Sequence, residues 1–320
     1  MWIEPERLAQ AKSIALYSYL AAAEPGNIKR CGQDEYCLRD HDSLKVSVST
    51  GKWNWHSRGF GGTTAVQYLI TVRGYPLPEA AQMVLDSKAA PYSPLAEPPP
   101  ARPLALPQRN GDDSRVISYL CGQRGLRREV VEHCRTLGTL YESAYYHSCV
   151  FVGHDENGTP RHAAIRATGS DFKRDTEGSD KRYTFALQAQ NGACGAVYVY
   201  ESAIDALSAA SLLLTDGQPW QKRHYLSLAG VSPLPIVQYL AAHPAIKTVA
   251  LCMDADEPGQ LATERIKGLL SVSSPSLEIR SEPPKIGNDY NQYLRMRIAR
   301  NRARQAKKSR GRTDPAAANR

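Results

Sequence analysis

At 320 residues and 35.2 kDa, the chain is long enough to bury a sizeable core and to divide into two or more units. Apolar residues make up 42% of it, the mean hydropathy is −0.45, and no apolar run approaches the ~20 residues of a membrane span, so a soluble globular protein is expected. A net charge of +8 points to a polyanionic partner, nucleic acid foremost.

The opening stretch MWIEPERLAQAKSIALYSYL has no basic start followed by a continuous apolar core, so no secretory signal is expected. Seven cysteines are scattered without a paired framework, which suits reduced thiols and a cytoplasmic location. Residues 1–86 read as a small module: PERLAQAKSIALYSYLAAA has helical spacing, LKVSVSTGKWNWHS alternates like a hairpin around Thr50-Gly51, and TTAVQYLITVRG is helical again. Residues 87–113 are rich in proline and lack apolar periodicity, so they read as an extended linker.

From residue 114, DSRVISYLCGQRGLRREVVEHCRTLG predicts two short helices broken at Gly125, and CVFVGHDENGTPRHAAIRAT predicts a hairpin turning at Glu156-Asn157-Gly158. Beyond Gly195 the rhythm becomes strand then helix, repeated: AVYVYE and AIDALSAASLLL, HYLSLAG and PLPIVQYLAAH, KTVALCMD and PGQLATERIKGLL, then SLEIRS. Near-continuous apolar strands alternating with helices predict a parallel sheet covered on both faces, with functional residues at the C-terminal strand ends. Residues 295–320 hold no acid between Arg295 and Arg312, and read either as a solvated, disordered tail or as a tail that binds phosphates.

The strand ends carry acids: Glu201 after VYVY, Asp254 and Asp256 in LCMDAD, and Asp289 in KIGNDYNQYL. Each alone has an ordinary explanation as a helix cap or a first-turn acid. Together on one sheet edge they would repel unless a cation lay between them, and hard oxygen donors suit Mg²⁺ or Mn²⁺.

VYVYESAIDALS, LCMDADEPG and NDYNQYL resemble the three motifs of the Toprim domain, shared by bacterial primases, type IA and II topoisomerases and some nucleases. The resemblance implies an α/β fold over residues 195–294, a catalytic set of Glu201, Asp254 and Asp256, and metal ligation by these with Asp205, Asp289 and Asn291. The pattern departs at Asn291, where bacterial primases usually have a second acid, and at Asn288, where related proteins often have lysine. Upstream, residues 114–194 are similar to the opening of the primase catalytic core and to an uncharacterised domain fused to Toprim-like domains in proteins of mobile elements and plasmids. Its Arg166, Lys173, Lys181 and Arg182 would hold nucleotide phosphates, or form a solvated basic hairpin.

The N-terminal stretch YCLRDHDSLKVSVSTGKWNWHSRGFGGTTAVQYLI resembles the zinc-ribbon module of bacterial primases, with its ligands largely lost. Trp55 and Arg58 stand where a cysteine pair would be. Cys31, Cys37, His41 and His56 make a poor zinc set, so a metal-free ribbon is expected. Lys52, Trp53, Trp55 and Arg58 fit a DNA-binding face, and the two tryptophans fit equally as core.

The resemblance implies a primase-like nucleotidyltransferase, dependent on Mg²⁺ or Mn²⁺, that makes short primers on single-stranded DNA from nucleoside triphosphates. A Toprim nuclease and a non-catalytic DNA-binding accessory protein are the alternatives. No G-x-x-x-x-G-K-[ST] occurs, so a helicase or other replication partner would be a separate protein.

Overall fold

The computed structural model describes residues 3–32, 34–55, 57–58, 60–91, 103–190 and 194–310. It divides into two compact units, Met1–Ala101 and Arg102–Arg320. No helix among the described residues is long and apolar enough to cross a membrane.

The first unit begins with helices α1 (Pro5–Lys12) and α2 (Leu16–Ala23). Five short strands follow, β1 (Ile28–Arg30), β2 (Glu35–Leu38), β3 (Leu44–Ser47), β4 (Trp53–Trp55) and β5 (Phe60–Gly62), paired antiparallel in chain order. Helices α3 (Ala65–Thr71) and α4 (Leu77–Asp86) close it. The β3–β4 hairpin turns at Gly51, whose φ of +63° lies in the left-handed region open to glycine.

Here one expectation is corrected. Trp53 and Trp55 do not form an exposed face, being only 2% and 7% exposed. A strand alternates sides, so the two rings of Trp53-Asn54-Trp55 fall on one face, against Leu20, Leu44, Tyr68 and Leu69. Their indole N–H groups find acceptors there, Thr64 O at 3.3 Å and Ser43 Oγ at 3.1 Å. The neighbouring strand carries glycines because a Cβ on Gly61 would meet the Trp53 carbonyl oxygen at 2.2 Å. Lys52 and Arg58 remain exposed, with the Arg58 guanidinium 4.7 Å from the Trp55 ring. Of the four weak zinc candidates, Cys37 is buried, Cys31 is exposed, His41 leans on Trp55, and His56 lies outside the described residues.

In the second unit, α5 (Ser114–Ile117) runs into a π-helical turn over Ser118–Gln123, and α6 (Arg128–Thr136) follows. The break is at Gly125, φ +75°. Strands β6 (Leu140–Glu142), β7 (Cys149–His154), β8 (Pro160–Arg166) and β9 (Lys173–Asp175) form an antiparallel sheet. Then come β10 (Ala186–Leu187), β11 (Ala196–Tyr200), α7 (Ala203–Thr215), β12 (His224–Ser227), α8 (Leu234–Ala242), β13 (Thr248–Leu251), α9 (Glu257–Ser273), β14 (Glu278–Ser281) and α10 (Tyr290–Arg310).

The second sheet has the order β10-β12-β11-β13-β14, parallel except for the edge strand β10. Its strands bury both faces: Val197, Val199, Val249 and Leu251 pack with α8 and α9, while Tyr200, Tyr225, Ala250 and Cys252 pack with α7 and α10. Helices thus cover both sides, as the strand–helix rhythm predicts.

Three boundaries differ from expectation. Strand β10 pairs with β12, and Leu120, Leu140, Phe151 and Phe185 share one core with Leu207 and Tyr225, so residue 195 lies inside a continuous unit. The second half of the expected linker is pinned: Ala105 N–H donates to Glu177 O, Asn110 N–H to Glu142 O, and Tyr141 OH to Pro107 O. Proline removes donors but leaves carbonyls free to accept, so a proline-rich segment can still be tied down. Helix α10 continues past Leu294 to Arg310, because its Arg, Ala, Gln and Lys residues are strong helix formers.

Trp53→Ala is expected to destabilise the protein by about 3–5 kcal/mol in a urea titration, and Lys52→Ala by less than about 0.5 kcal/mol. Equal losses would return the Trp53 ring to the surface.

Candidate active site

Strand β11 lies between β12 and β13, so the chain leaves it toward one side and returns on the other. The crevice beyond the carboxyl ends of β11 and β13 is where such a sheet parts its loops. Glu201 follows β11 there, and Asp254 and Asp256 follow β13. The Asp254 N–H donates to Glu201 Oε1 at 3.3 Å. Gly259, in the first turn of α9, permits that approach: a Cβ would lie 2.2 Å from the Asp254 carbonyl oxygen and 2.9 Å from Glu201 Oε1.

Asp256 caps α9, its Oδ1 accepting the Gly259 N–H at 2.9 Å. Asp289 Oδ1 accepts the Gln292 N–H at 2.6 Å at the start of α10. Asp256 and Asp289 each give one oxygen to a helix start, and Asp256 Oδ2 also accepts from the Asn288 amide at 3.4 Å; carboxylate oxygens of this kind are donors suited to a hard divalent cation. Among the described residues no three His, Cys, Asp or Glu side chains already converge as a finished cage.

Burial and mutual repulsion raise the acids. The Asp254 carboxyl is pushed to about 8 by burial, then by Asp205, Glu201, Asp289 and Asp256. Glu201 rises to about 7, chiefly by burial, opposed by the Asp254 N–H and by Lys173. Asp205 rises to about 6 by burial. These effects join all five acids into one electrostatic cluster.

Asp205 and Asn291, expected as ligands, are engaged elsewhere. Asp205 is buried, with Oδ2 accepting from Ser202 Oγ at 2.5 Å and Oδ1 from Asn291 N–H at 3.1 Å. The Asn291 amide donates to Arg124 O at 2.8 Å and to Ser208 Oγ at 3.0 Å, and its oxygen accepts from the Arg124 guanidinium at 3.3 Å. Asn291 therefore braces the site and offers no free oxygen to it.

The expected phosphate-binding cations divide. Lys173 acts electrostatically on Glu201, and Arg166 lines a cavity of about 480 Å³ with Arg124, Arg295, Tyr119, Thr168 and Asp171. Lys181 and Arg182 are neutralised within their own hairpin, 3.0 Å from Asp175 and 2.6 Å from Asp180. Sequence reasoning missed Arg124, Arg295 and Gly259. The first stands in the quoted QRG segment and the third in DADEPG, where a glycine one turn into a helix signals a close approach.

Residues 198–294 match the Toprim-like family. This part of the chain is a Toprim-like domain. Residues 118–191 match a family described as a protein of unknown function, DUF3991. An uncharacterized protein of Bacillus anthracis is 24% identical over 279 residues, 82% of this chain and 78% of that one. The solved structures similar to the chain include the primase fragment of the bacteriophage T7 primase-helicase protein (16% identity, 78% of this chain and 88% of that one, TM-score 0.42). A second is the E. coli primase catalytic core (17%, 57% and 69%, TM-score 0.42). A third is the Aquifex aeolicus primase (15%, 91% and 82%, TM-score 0.38).

Within the Toprim-like domain, Glu201 and Asp254 ionise near their ordinary values of 4.5 and 3.8 when unfolded, but hold protons to about 7 and about 8 when folded. The folded chain binds more protons between those values, so metal-free stability falls as pH rises through that window. Mg²⁺ or Mn²⁺ is expected to raise the melting temperature more at pH 8 than at pH 6, by roughly 2–4 °C per kcal/mol of binding. An equal rise at both pH values, or one retained in Asp254→Asn, would count against the site. Gly259→Ala is expected to abolish that rise by separating Asp254 from Glu201.

Proposed function

We propose that the protein is a primase-like nucleotidyltransferase that joins nucleotides on a single-stranded DNA template. The observation that carries this reading is a charge arrangement: Glu201, Asp254, Asp256 and Asp289 follow the strand ends within electrostatic reach of one another, and Arg124, which acts on Asp205, lines a cavity with Arg166 and Arg295. Acids that hold cations adjoin cations that hold phosphates, the pairing that phosphoryl transfer needs.

The carboxylates of Glu201, Asp254, Asp256 and Asp289 would hold Mg²⁺ or Mn²⁺. A bound divalent ion supplies neutralisation of charge on the attacking and leaving oxygens. The arginines and Lys173 orient the triphosphate of the incoming nucleotide. The terminal 3′-hydroxyl forms a new bond to the α-phosphorus as the bond to pyrophosphate breaks. Glu201 would ligate the metal or take the hydroxyl proton. The pinned turn Ser202–Asp205 and the Asn291 brace keep these groups in place. A separate helicase or replication protein would open the duplex, and cytoplasmic action on DNA is the setting this implies.

The test is incubation with single-stranded template, labelled nucleoside triphosphates and Mg²⁺ or Mn²⁺. Short labelled products are expected, reduced at least about 100-fold in Glu201→Gln and Asp254→Asn. Shortened template lost in the same variants would make the site a nuclease. Template binding with neither product would make the protein an accessory factor.

A further inference from the structure

Two hairpin turns lie at one edge of the antiparallel sheet, because Cys149 at the start of β7 pairs with Arg166 at the end of β8. The first turn, between β6 and β7, displays Tyr145 and Tyr146, 85% and 76% exposed, with ring centroids 5.0 Å apart. The second, between β8 and β9, displays Phe172, 52% exposed, with the Arg174 guanidinium 5.8 Å from its ring.

Neither turn is loose. Ser143 N–H donates to Ser148 O and His147 N–H to Ser143 O, each at 3.0 Å, while the His147 ring meets the buried Glu142 carboxylate at 2.6 Å. Thr168 Oγ1 donates to His147 O at 3.1 Å, tying the two turns together. Ala167 N–H donates to Phe172 O at 3.0 Å and closes the second. Three large aromatic rings are thus held outward by fixed backbone.

The same turns border the arginine cavity. Thr168 and Asp171 line it, and the Tyr119 hydroxyl sits between Arg124 Nε at 2.8 Å and Arg166 Nε at 3.4 Å. Arg166 also pairs with Asp171, whose carboxylate is fully exposed and so readily displaced by a phosphate. Exposed aromatic faces beside a basic groove are the chemistry of sequence-tolerant binding to single strands, since every base has a π-face and every linkage a phosphate. An apolar protein partner is less suited, since the rim around the rings is charged and polar.

We propose that Tyr145, Tyr146 and Phe172 form a stacking platform for unpaired bases of a single-stranded nucleic acid whose backbone phosphates lie along Arg124, Arg166 and Arg295. The platform deepens the nucleotidyltransferase reading by naming the template's path toward the acids, and rests on that reading for direction alone.

The test measures binding of the full chain to labelled oligothymidine and to an abasic strand of equal length, with chelator present and nucleotides absent. The triple variant Tyr145→Ala, Tyr146→Ala, Phe172→Ala is expected to bind oligothymidine at least about tenfold more weakly and the abasic strand unchanged. Tyr145→Trp is expected to lose fluorescence on adding oligothymidine and to keep it with the abasic strand. Equal weakening for both strands, or weakening for neither, overturns the platform. So does a change in oligomeric size in the triple variant with DNA binding intact, which would make the face a protein-docking surface. Because no metal or triphosphate is present, loss of primer synthesis leaves this result standing, and loss of stacking leaves the carboxylate chemistry standing.

Discussion

The side chain of Asn291 joins three segments far apart in the chain. Its backbone N–H holds Asp205 on α7, its amide holds Ser208 and the carbonyl of Arg124, and its oxygen holds the Arg124 guanidinium. It is 3% exposed, so each of these bonds forms away from water, where leaving one unmade is costly. An amide suits the place because it both donates and accepts; a carboxylate would lose the two donors. Around this one residue, the first turn of α10, the π-helical turn and the helix after Glu201 take their positions.

Those positions set the electrostatics. The π-helical turn presents Tyr119 and Arg124 toward the cavity, and Gly125 then reverses the chain where a Cβ would strike Ile298. Glu201 and Asp254, raised by burial and by neighbouring acids, stand at the strand ends outside that cavity.

The Toprim-like segment was the most legible part of the sequence. Its alternation of apolar strands and helices is a strong periodic signal, and Glu201 and Asp254 fall at strand ends by arithmetic alone. The roles of Asp205 and Asn291 were not legible. Whether an oxygen is free depends on contacts with residues about 86 and 167 positions away, which no local spacing carries. The tryptophans of β4 were ambiguous because alternation assigns them to one face without saying which face is wet. Lys181 and Arg182 look like free cations in sequence, and only the fold brings Asp175 and Asp180 against them.

The single core running from the β6–β9 sheet into the Toprim-like sheet bears on how the protein can be dissected. Strand β10 covers the outer edge of β12 with two residues, and its Leu187 with the preceding Phe185 packs in the core shared with α7. Cutting the chain at the family boundary would strip that edge of its partner and open an apolar surface once shared with Leu120 and Phe151. The segments that match the two families therefore share one folding unit here.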